Sequence, residues 1–100
     1  MKTTQTNNHF TVCFESISKI NVLNSEEIET QLLEIAEHEE NILTLDLSNI
    51  NFIDSSGFHV LLNVYKTSRI NNSTLELKNL SVDLIELFKL IELNQYFNIN

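Results

Sequence analysis

One polar stretch interrupts the middle of this sequence: Asn51-Phe52-Ile53-Asp54-Ser55-Ser56-Gly57-Phe58. The apolar run before it, residues 42–47, is too short for a helix and predicts a buried strand. Apolar side chains at helical spacing follow it, and they are Phe58, Leu61, Leu62 and Tyr65, widened by Val60 and Val64. Residues 49–54 are therefore predicted to form a loop that passes directly into a largely buried helix.

The start of this predicted helix carries a carboxylate and two hydroxyl groups. In the simplest interpretation Asp54 or Ser55 caps the helix by accepting a backbone N–H, and Gly57 allows tight packing. A serine exposed at a helix start can also be phosphorylated, because the phosphate would lie near unpaired N–H groups. That modification would add a charge of about −1.5 to −2 beside Asp54 and could release a docked protein with little change of fold. The residues alone are compatible with both interpretations.

Alternation of apolar and polar residues predicts strands on either side of this stretch. Phe10, Val12 and Phe14 follow a period of two, which predicts a strand within residues 9–18. Residues 2–6 are predicted to pair with it through a turn at Asn7-Asn8, since asparagine tolerates left-handed backbone conformations. Another strand is predicted at residues 74–78.

Two further helices are predicted from capping residues and apolar spacing. Asn24 precedes Glu27 by three residues, as in a capping box, and the apolar positions that follow are Ile28, Leu32, Ile35 and Ala36. Ser81 is predicted to cap a last helix, whose apolar face is Leu84, Ile85, Phe88 and Ile91. The order β(β)αβαβα predicts an α/β fold of the α+β type, a four- to five-stranded mixed β-sheet with helices packed mainly on one face.

The composition fits one domain covering residues 1–100. Six Lys and Arg against fourteen Asp and Glu give a formal net charge of −8, which excludes the basic surface that nucleic-acid binding needs. Seven of the acids fall in or just after the first predicted helix, at Glu26, Glu27, Glu29, Glu34, Glu37, Glu39 and Glu40. They indicate either a solvated surface or a docking face for a basic partner.

The other chemistry-bearing residues form no catalytic or metal-binding pattern. Cys13 is the single cysteine and is predicted to be a buried apolar side chain. The three histidines lie in different segments, at His9, His38 and His59, so neither a metal site nor a cofactor is predicted. No apolar run could span a membrane, and residues 1–6 lack the apolar core of a signal peptide, so we expect a cytoplasmic protein.

The sequence resembles the STAS domains of anti-sigma factor antagonists. The resemblance covers most of the chain from about Phe10 onward, and the Asp-Ser-Ser-Gly motif after a hydrophobic strand and loop is its most specific part. The matching segments are Leu45-Asp46-Leu47-Ser48, Phe52-Ile53-Asp54-Ser55-Ser56-Gly57, Leu61-Leu62, Tyr65-Lys66, Leu75-Glu76-Leu77 and residues 87–97.

This resemblance implies a partner-switching role. In that family the serine directly after the aspartate, here Ser55, is phosphorylated by a GHKL-type serine kinase that is itself the anti-sigma factor. The unphosphorylated chain would bind this kinase and free the sigma factor, and a PP2C-type phosphatase would reset the switch. ATP belongs to the kinase, so the chain itself is expected not to be an enzyme. The implied partner-binding residues are Asn21, Asp54, Ser55, Ser56, Gly57, Phe58 and His59, supported by the rest of the second helix.

Two other roles remain open. A STAS domain that is not phosphorylated can serve as a scaffold subunit, for example of a lipid-transport ATPase or of a larger signalling assembly. A nucleotide or small-molecule sensor is the third alternative, because a helix N-terminus can hold a phosphate. Against the sensor, the chain has one glycine, no glycine-rich loop and few basic residues. The sequence also departs from the family in the turn before the first helix, where Ser18 and Asn21 stand in place of a glycine and an acid.

Overall fold

The computed structural model describes residues 1–93 and 95–99. Within this part of the chain the strands are β1 (Lys2–Thr6), β2 (His9–Cys13), β3 (Lys19–Ile20), β4 (Ile42–Asp46), β5 (Phe52–Ile53), β6 (Thr74–Lys78) and β7 (Asn98–Ile99). The helices are α1 (Ser25–Ala36), α2 (Ser55–Ile70) and α3 (Val82–Leu90). No helix among the described residues is long and apolar enough to cross a lipid bilayer.

Five of the strands form one mixed sheet in the order β1-β2-β4-β6-β7. β1 is antiparallel to β2, and the remaining neighbours are parallel. Parallel neighbours need crossover connections, which are right-handed in nearly all proteins. Because the three crossovers step across the sheet in the same direction, they place α1, α2 and α3 on one face. The predicted α/β fold with a mixed sheet is confirmed.

The register of the sheet explains where the core lies. Val12 pairs with Leu45 and Leu45 with Leu77, so one row of apolar side chains crosses three strands beneath the helices. All three side chains are fully buried. The next row, Cys13, Asp46 and Lys78, points to the opposite face because successive residues of a strand alternate. Cys13 is partly exposed there, with its Sγ 3.9 Å from Asp46 Oδ2, so its predicted burial in the core is wrong.

The local turn and strand predictions hold where the sequence pattern is strong. β1 pairs with β2 around the predicted turn, and Asn7 has a φ of 55°. β6 has the predicted bounds, and Ser81 Oγ accepts the backbone N–H of Leu84 as the predicted cap of α3. The predicted strand within residues 9–18 is shorter than expected, since β2 ends at Cys13.

Three predictions near the ends of helices need correction. Asn24 occupies the cap position of α1, but its side chain does not cap the helix. Its Oδ1 accepts the N–H of Asn21, and its Nδ2 donates to the carbonyl of Lys19, both over 2.9 Å, so the amide braces the preceding loop instead. The predicted loop 49–54 contains β5, which pairs in parallel with β3 as a second small sheet. Ile91, predicted on the buried face of the last helix, is 40% exposed at its end.

Candidate partner-docking site at the start of helix α2

Asp54 is the residue that caps α2. Its Oδ1 accepts the backbone N–H of Gly57 over 3.0 Å and the hydroxyl of Ser56 over 2.6 Å. Its Oδ2 accepts the backbone N–H of Val22 over 3.3 Å. The Ser56 hydroxyl, followed by the Gly57 N–H, holds the pKa of the Asp54 carboxyl below its usual value. Of the two capping residues that the sequence allowed, Asp54 is therefore the one that caps α2 in the structure. The Ser56 hydroxyl is occupied by its hydrogen bond to Asp54.

Ser55 is the first residue of α2, and its side chain is exposed. Asp54 already accepts the hydrogen bonds that a capping serine would otherwise accept, so the helix start does not depend on the Ser55 hydroxyl. Ser56 differs, because it is half-buried and its hydroxyl donates to Asp54. The two adjacent serines are thus chemically distinct, and Ser55 is the one available to an incoming group.

Gly57 brings the start of α2 into close contact with the loop before α1. A Cβ atom on Gly57 would lie 2.6 Å from Ile53 Cγ2 and 2.9 Å from the backbone oxygen of Ile20. Its φ is not positive, so the glycine is needed for this approach rather than for an unusual backbone conformation. This confirms the predicted tight packing and identifies its partners.

The small sheet fastens the loops that precede α1 and α2 to each other. Besides the β3–β5 pairing, the N–H of Asp54 donates to the carbonyl of Ile20 over 3.1 Å. The N–H of Asn51 donates to the carbonyl of Ser18 over 2.8 Å. Both loops follow the carboxyl ends of parallel strands, so the N-termini of α1 and α2 meet at one edge of the main sheet. Sequence reasoning missed this connection, because strands of two residues carry no periodicity.

Asn21 lies in the loop held by this connection. Its side-chain Oδ1 accepts the N–H of Leu23 over 3.0 Å, and its carbonyl accepts the N–H of Ser25 over 2.9 Å. The following residues, Val22 and Leu23, are 73% and 90% exposed. Asn21 therefore shapes the loop that carries two exposed apolar side chains next to Asp54. The available sequence signal for this loop was the pair of asparagines, Asn21 and Asn24, on either side of two adjacent apolar residues.

An apolar groove of about 500 Å³ begins at Ser55 and runs between α2 and the end of α3. Phe58, which is mostly buried, packs edge-on against Phe88 with 5.1 Å between ring centroids and so fixes the floor of this groove. Phe52 is 46% exposed at its rim. The lining residues are Phe52, Ile53, Ser55, Phe58, His59, Leu62, Leu87, Ile91 and Leu93. We call this surface the apolar groove.

A second groove, of about 440 Å³, lies on the other side of Ser55 between α1 and α2. Two of its lining residues are the glutamates Glu26 and Glu29, and Glu29 Oε2 accepts a hydrogen bond from Asn63 Nδ2 over 3.0 Å. The full lining is Ser25, Glu26, Glu29, Ser55, Ser56, His59 and Val60. We call this surface the acidic groove. Ser55 and His59 border both grooves, so the structure brings together six of the seven predicted site residues around one helix start, with Asn21 in the adjoining loop.

The chain matches a known family model, and its fold is similar to that of several solved structures. The family model for the STAS domain matches residues 1–100. An anti-sigma-factor antagonist (STAS) domain protein from Planctomyces limnophilus is 15% identical, with a TM-score of 0.87 over 98% of this chain and 86% of that chain. The anti-sigma factor antagonist SpoIIAA of Bacillus, in its unphosphorylated form, is 13% identical, with a TM-score of 0.78 over 99% and 86%. A sulfate transporter family protein from Wolinella succinogenes is 14% identical, with a TM-score of 0.68 over 94% and 78%.

Proposed function

The chain belongs to the STAS domain family, and on that premise we propose that it is a phosphorylation-switched antagonist of an anti-sigma factor in the cytoplasm. In its unphosphorylated form it binds a GHKL-type serine kinase and so frees a sigma factor for transcription. The kinase transfers the γ-phosphoryl group of ATP to Ser55 Oγ, and a PP2C-type phosphatase removes it. The chain acts as a binding module and not as an enzyme. The observation that carries this proposal is the exposed Ser55 at the edge of the apolar groove.

The apolar groove supplies the surface that a partner would cover. Its floor is made of aromatic and aliphatic side chains, among them Phe58 and Leu62, and Phe52 projects at the rim. Apolar pockets that exclude water provide most of the binding energy in protein interfaces. Ser55 borders this surface, so a partner that fills the groove also removes water from the Ser55 hydroxyl.

Phosphorylation of Ser55 would oppose such docking for electrostatic reasons. It brings a charge of about −1.5 to −2 to a border that already holds Asp54, with Glu26 and Glu29 in the acidic groove. A like charge or an unpaired charge in an interface costs several kcal/mol, and each ~1.4 kcal/mol lowers affinity about tenfold. Phosphorylation would therefore lower the affinity for the partner by a factor of at least about a hundred.

The fold would tolerate the same modification. The cap of α2 depends on Asp54 and Ser56, and the packing of its first turn depends on Gly57. Ser55 takes part in neither, and its side chain points to solvent. A switch requires that the modified residue make no contact on which the fold depends, because the phosphorylated protein must stay folded until a phosphatase restores it.

A labelling experiment tests the proposal. The chain is incubated with ATP and a GHKL-type serine kinase from the same organism, and the product is resolved on a phosphate-affinity gel. Wild type and Ser56→Ala are expected to be labelled, whereas Ser55→Ala is not. Equal labelling of Ser55→Ala would contradict the assignment of Ser55. Capture of the kinase should fall in Ser55→Asp but persist in Ser55→Asn, which has a similar size without the charge.

A scaffold role is the second candidate, since the fold is shared with the sulfate transporter family protein from Wolinella succinogenes. In that case the apolar groove would hold a permanent subunit, and Ser55 would never be modified. Affinity purification of the tagged chain from its own cells distinguishes the two roles. A transporter or ABC ATPase that co-purifies equally with wild type and Ser55→Asp would favour the scaffold.

A further inference from the structure

His59 lies one helical turn after Ser55 on α2, and both side chains are exposed. Residues four apart on a helix have Cβ atoms about 5–6 Å from each other. Helical side chains also lean toward the N-terminus, so the imidazole of His59 extends over the turn that begins at Ser55. The two residues border the same two grooves, which places the imidazole within reach of any group attached to Ser55 Oγ.

The charges that surround this pair are negative. Glu26 and Glu29 reach the acidic groove from α1, and Asp54 precedes Ser55 at the start of α2. Among the described residues, neither groove is lined by a lysine or an arginine. His59 is therefore the one side chain bordering Ser55 in these grooves that can gain a positive charge. A phosphate on Ser55 would meet three carboxylates and a single imidazole.

We propose that His59 is the counter-ion of the phosphorylated Ser55, donating an imidazolium N–H to a phosphoryl oxygen. This inference rests on the proposed function for its setting, since it concerns the modified form of the switch. The imidazolium would offset part of the negative charge that the phosphate adds beside Glu26 and Glu29. It would also make the phosphorylated state sensitive to pH, because an imidazole titrates near neutrality.

The direction of the pH dependence follows from the two titrating groups. A phosphoserine loses its second proton near pH ~6, and an ordinary histidine loses its proton near pH ~6.5. A neighbouring dianion favours the charged form of an imidazole, and the imidazolium in turn lowers the second pKa of the phosphate. The ion pair is thus formed around neutral pH. It is lost at higher pH as the imidazole gives up its proton, and it weakens as the phosphate is protonated below about pH 6.

Site-specific phosphoserine at position 55, installed during synthesis of the chain, allows a direct test without any kinase. The ring protons of His59 are followed by NMR from pH 5 to pH 9 in the unmodified and the phosphorylated protein. The midpoint of His59 should rise on phosphorylation by about half a unit or more. His38 serves as the internal control, because it is exposed beyond the end of α1 and should not shift.

Phosphorus NMR of matched variants gives the reciprocal measurement. His59→Gln should raise the second pKa of phosphoserine 55, whereas His38→Gln, which also removes one imidazole, should leave it unchanged. Equal shifts of His59 and His38, or identical phosphorus titrations in both variants, would overturn the pairing. This failure would leave the proposed role of Ser55 intact, because the phosphate is installed without a kinase. A lack of labelling by the kinase would, conversely, not affect this result.

Discussion

Gly57→Ala should destabilise the protein, although alanine is the better helix former. The substitution adds one methyl group to the first turn of α2, which favours the helix by up to about 1 kcal/mol. The new Cβ would, however, lie 2.6 Å from Ile53 Cγ2, 3.0 Å from Ile20 Cγ2 and 2.9 Å from the backbone oxygen of Ile20. Two of these distances are below 3.0 Å, and the backbone oxygen cannot turn away as a flexible side chain can.

The net magnitude follows from the two opposing effects. Overpacking a tight contact typically costs about 1–3 kcal/mol, and a clash with paired backbone belongs in the upper half of that range. Subtracting the helical preference leaves a net loss of about 1–2 kcal/mol in the free energy of unfolding. For a domain of this size, 1 kcal/mol corresponds to about 4–8 °C, so the melting temperature should fall by about 4–16 °C.

Urea denaturation and thermal unfolding, both followed by circular dichroism, measure this change. The slope with urea should stay constant, so that the shift in midpoint reports stability alone. Ser55→Ala is the matched control, since it alters the neighbouring residue of the same helical turn at an exposed position and should leave the midpoint almost unchanged. A Gly57→Ala protein as stable as wild type, or more stable, would refute the close contact between α2 and the loop before α1.

Three further substitutions test other parts of the structure. Asp54→Asn keeps a capping side chain but removes its charge. Because the pKa of Asp54 is lowered in the folded state, wild type should lose stability more steeply than Asp54→Asn as the pH falls below about 5. Urea midpoints measured over this pH range test the difference. Leu45→Ala in the fully buried row beneath the helices should cost about 2–5 kcal/mol in the same assay. If the proposed kinase docks on the apolar groove, Phe52→Ser at its rim should weaken that binding at least about tenfold by calorimetry. Val82→Ser, which changes an exposed apolar residue outside the groove, should not.

The large elements could be predicted from the sequence because each one buries a periodic face. Val12 lies in a strand that alternation predicts and Leu45 in one that a short apolar run predicts, and together with Leu77 they form the row that supports the helices. Asn7 marks its hairpin turn because few other residues adopt a φ of 55° without strain. These patterns involve residues that are close in sequence, so they can be recognised without knowledge of the tertiary structure.

The small sheet and the role of Asn24 could not be predicted in this way. β3 and β5 have two residues each, and they are held by backbone pairing between segments about thirty residues apart. Asn24 has the residue type and the spacing of a cap, yet its amide bonds Asn21 and Lys19, because the loop before α1 offers competing backbone groups. Side chains such as asparagine bond whichever backbone group the loop presents, and the loop conformation is set by tertiary contacts.

The same limit applies at the candidate site. The sequence identified the serine and aspartate of the motif but left open which of them caps α2. The structure resolves this through Asp54 Oδ1, which accepts from both Ser56 and Gly57. The predicted tight packing at Gly57 needed the structure to supply its partner, the loop at Ile20, which belongs to a distant part of the chain.

The arrangement around Ser55 explains how one modification could act on two surfaces. Asp54 caps the helix, the Ser56 hydroxyl donates to Asp54, and Gly57 lets the first turn pack closely. Ser55 takes part in none of these contacts. Ser55 also separates the apolar groove from the acidic groove. A charge placed on it changes the potential over both grooves at once, within about one Debye length of ~8 Å at physiological salt. Any partner that contacts either side of α2 near its start would therefore respond to the state of this serine, while the core beneath it stays unchanged.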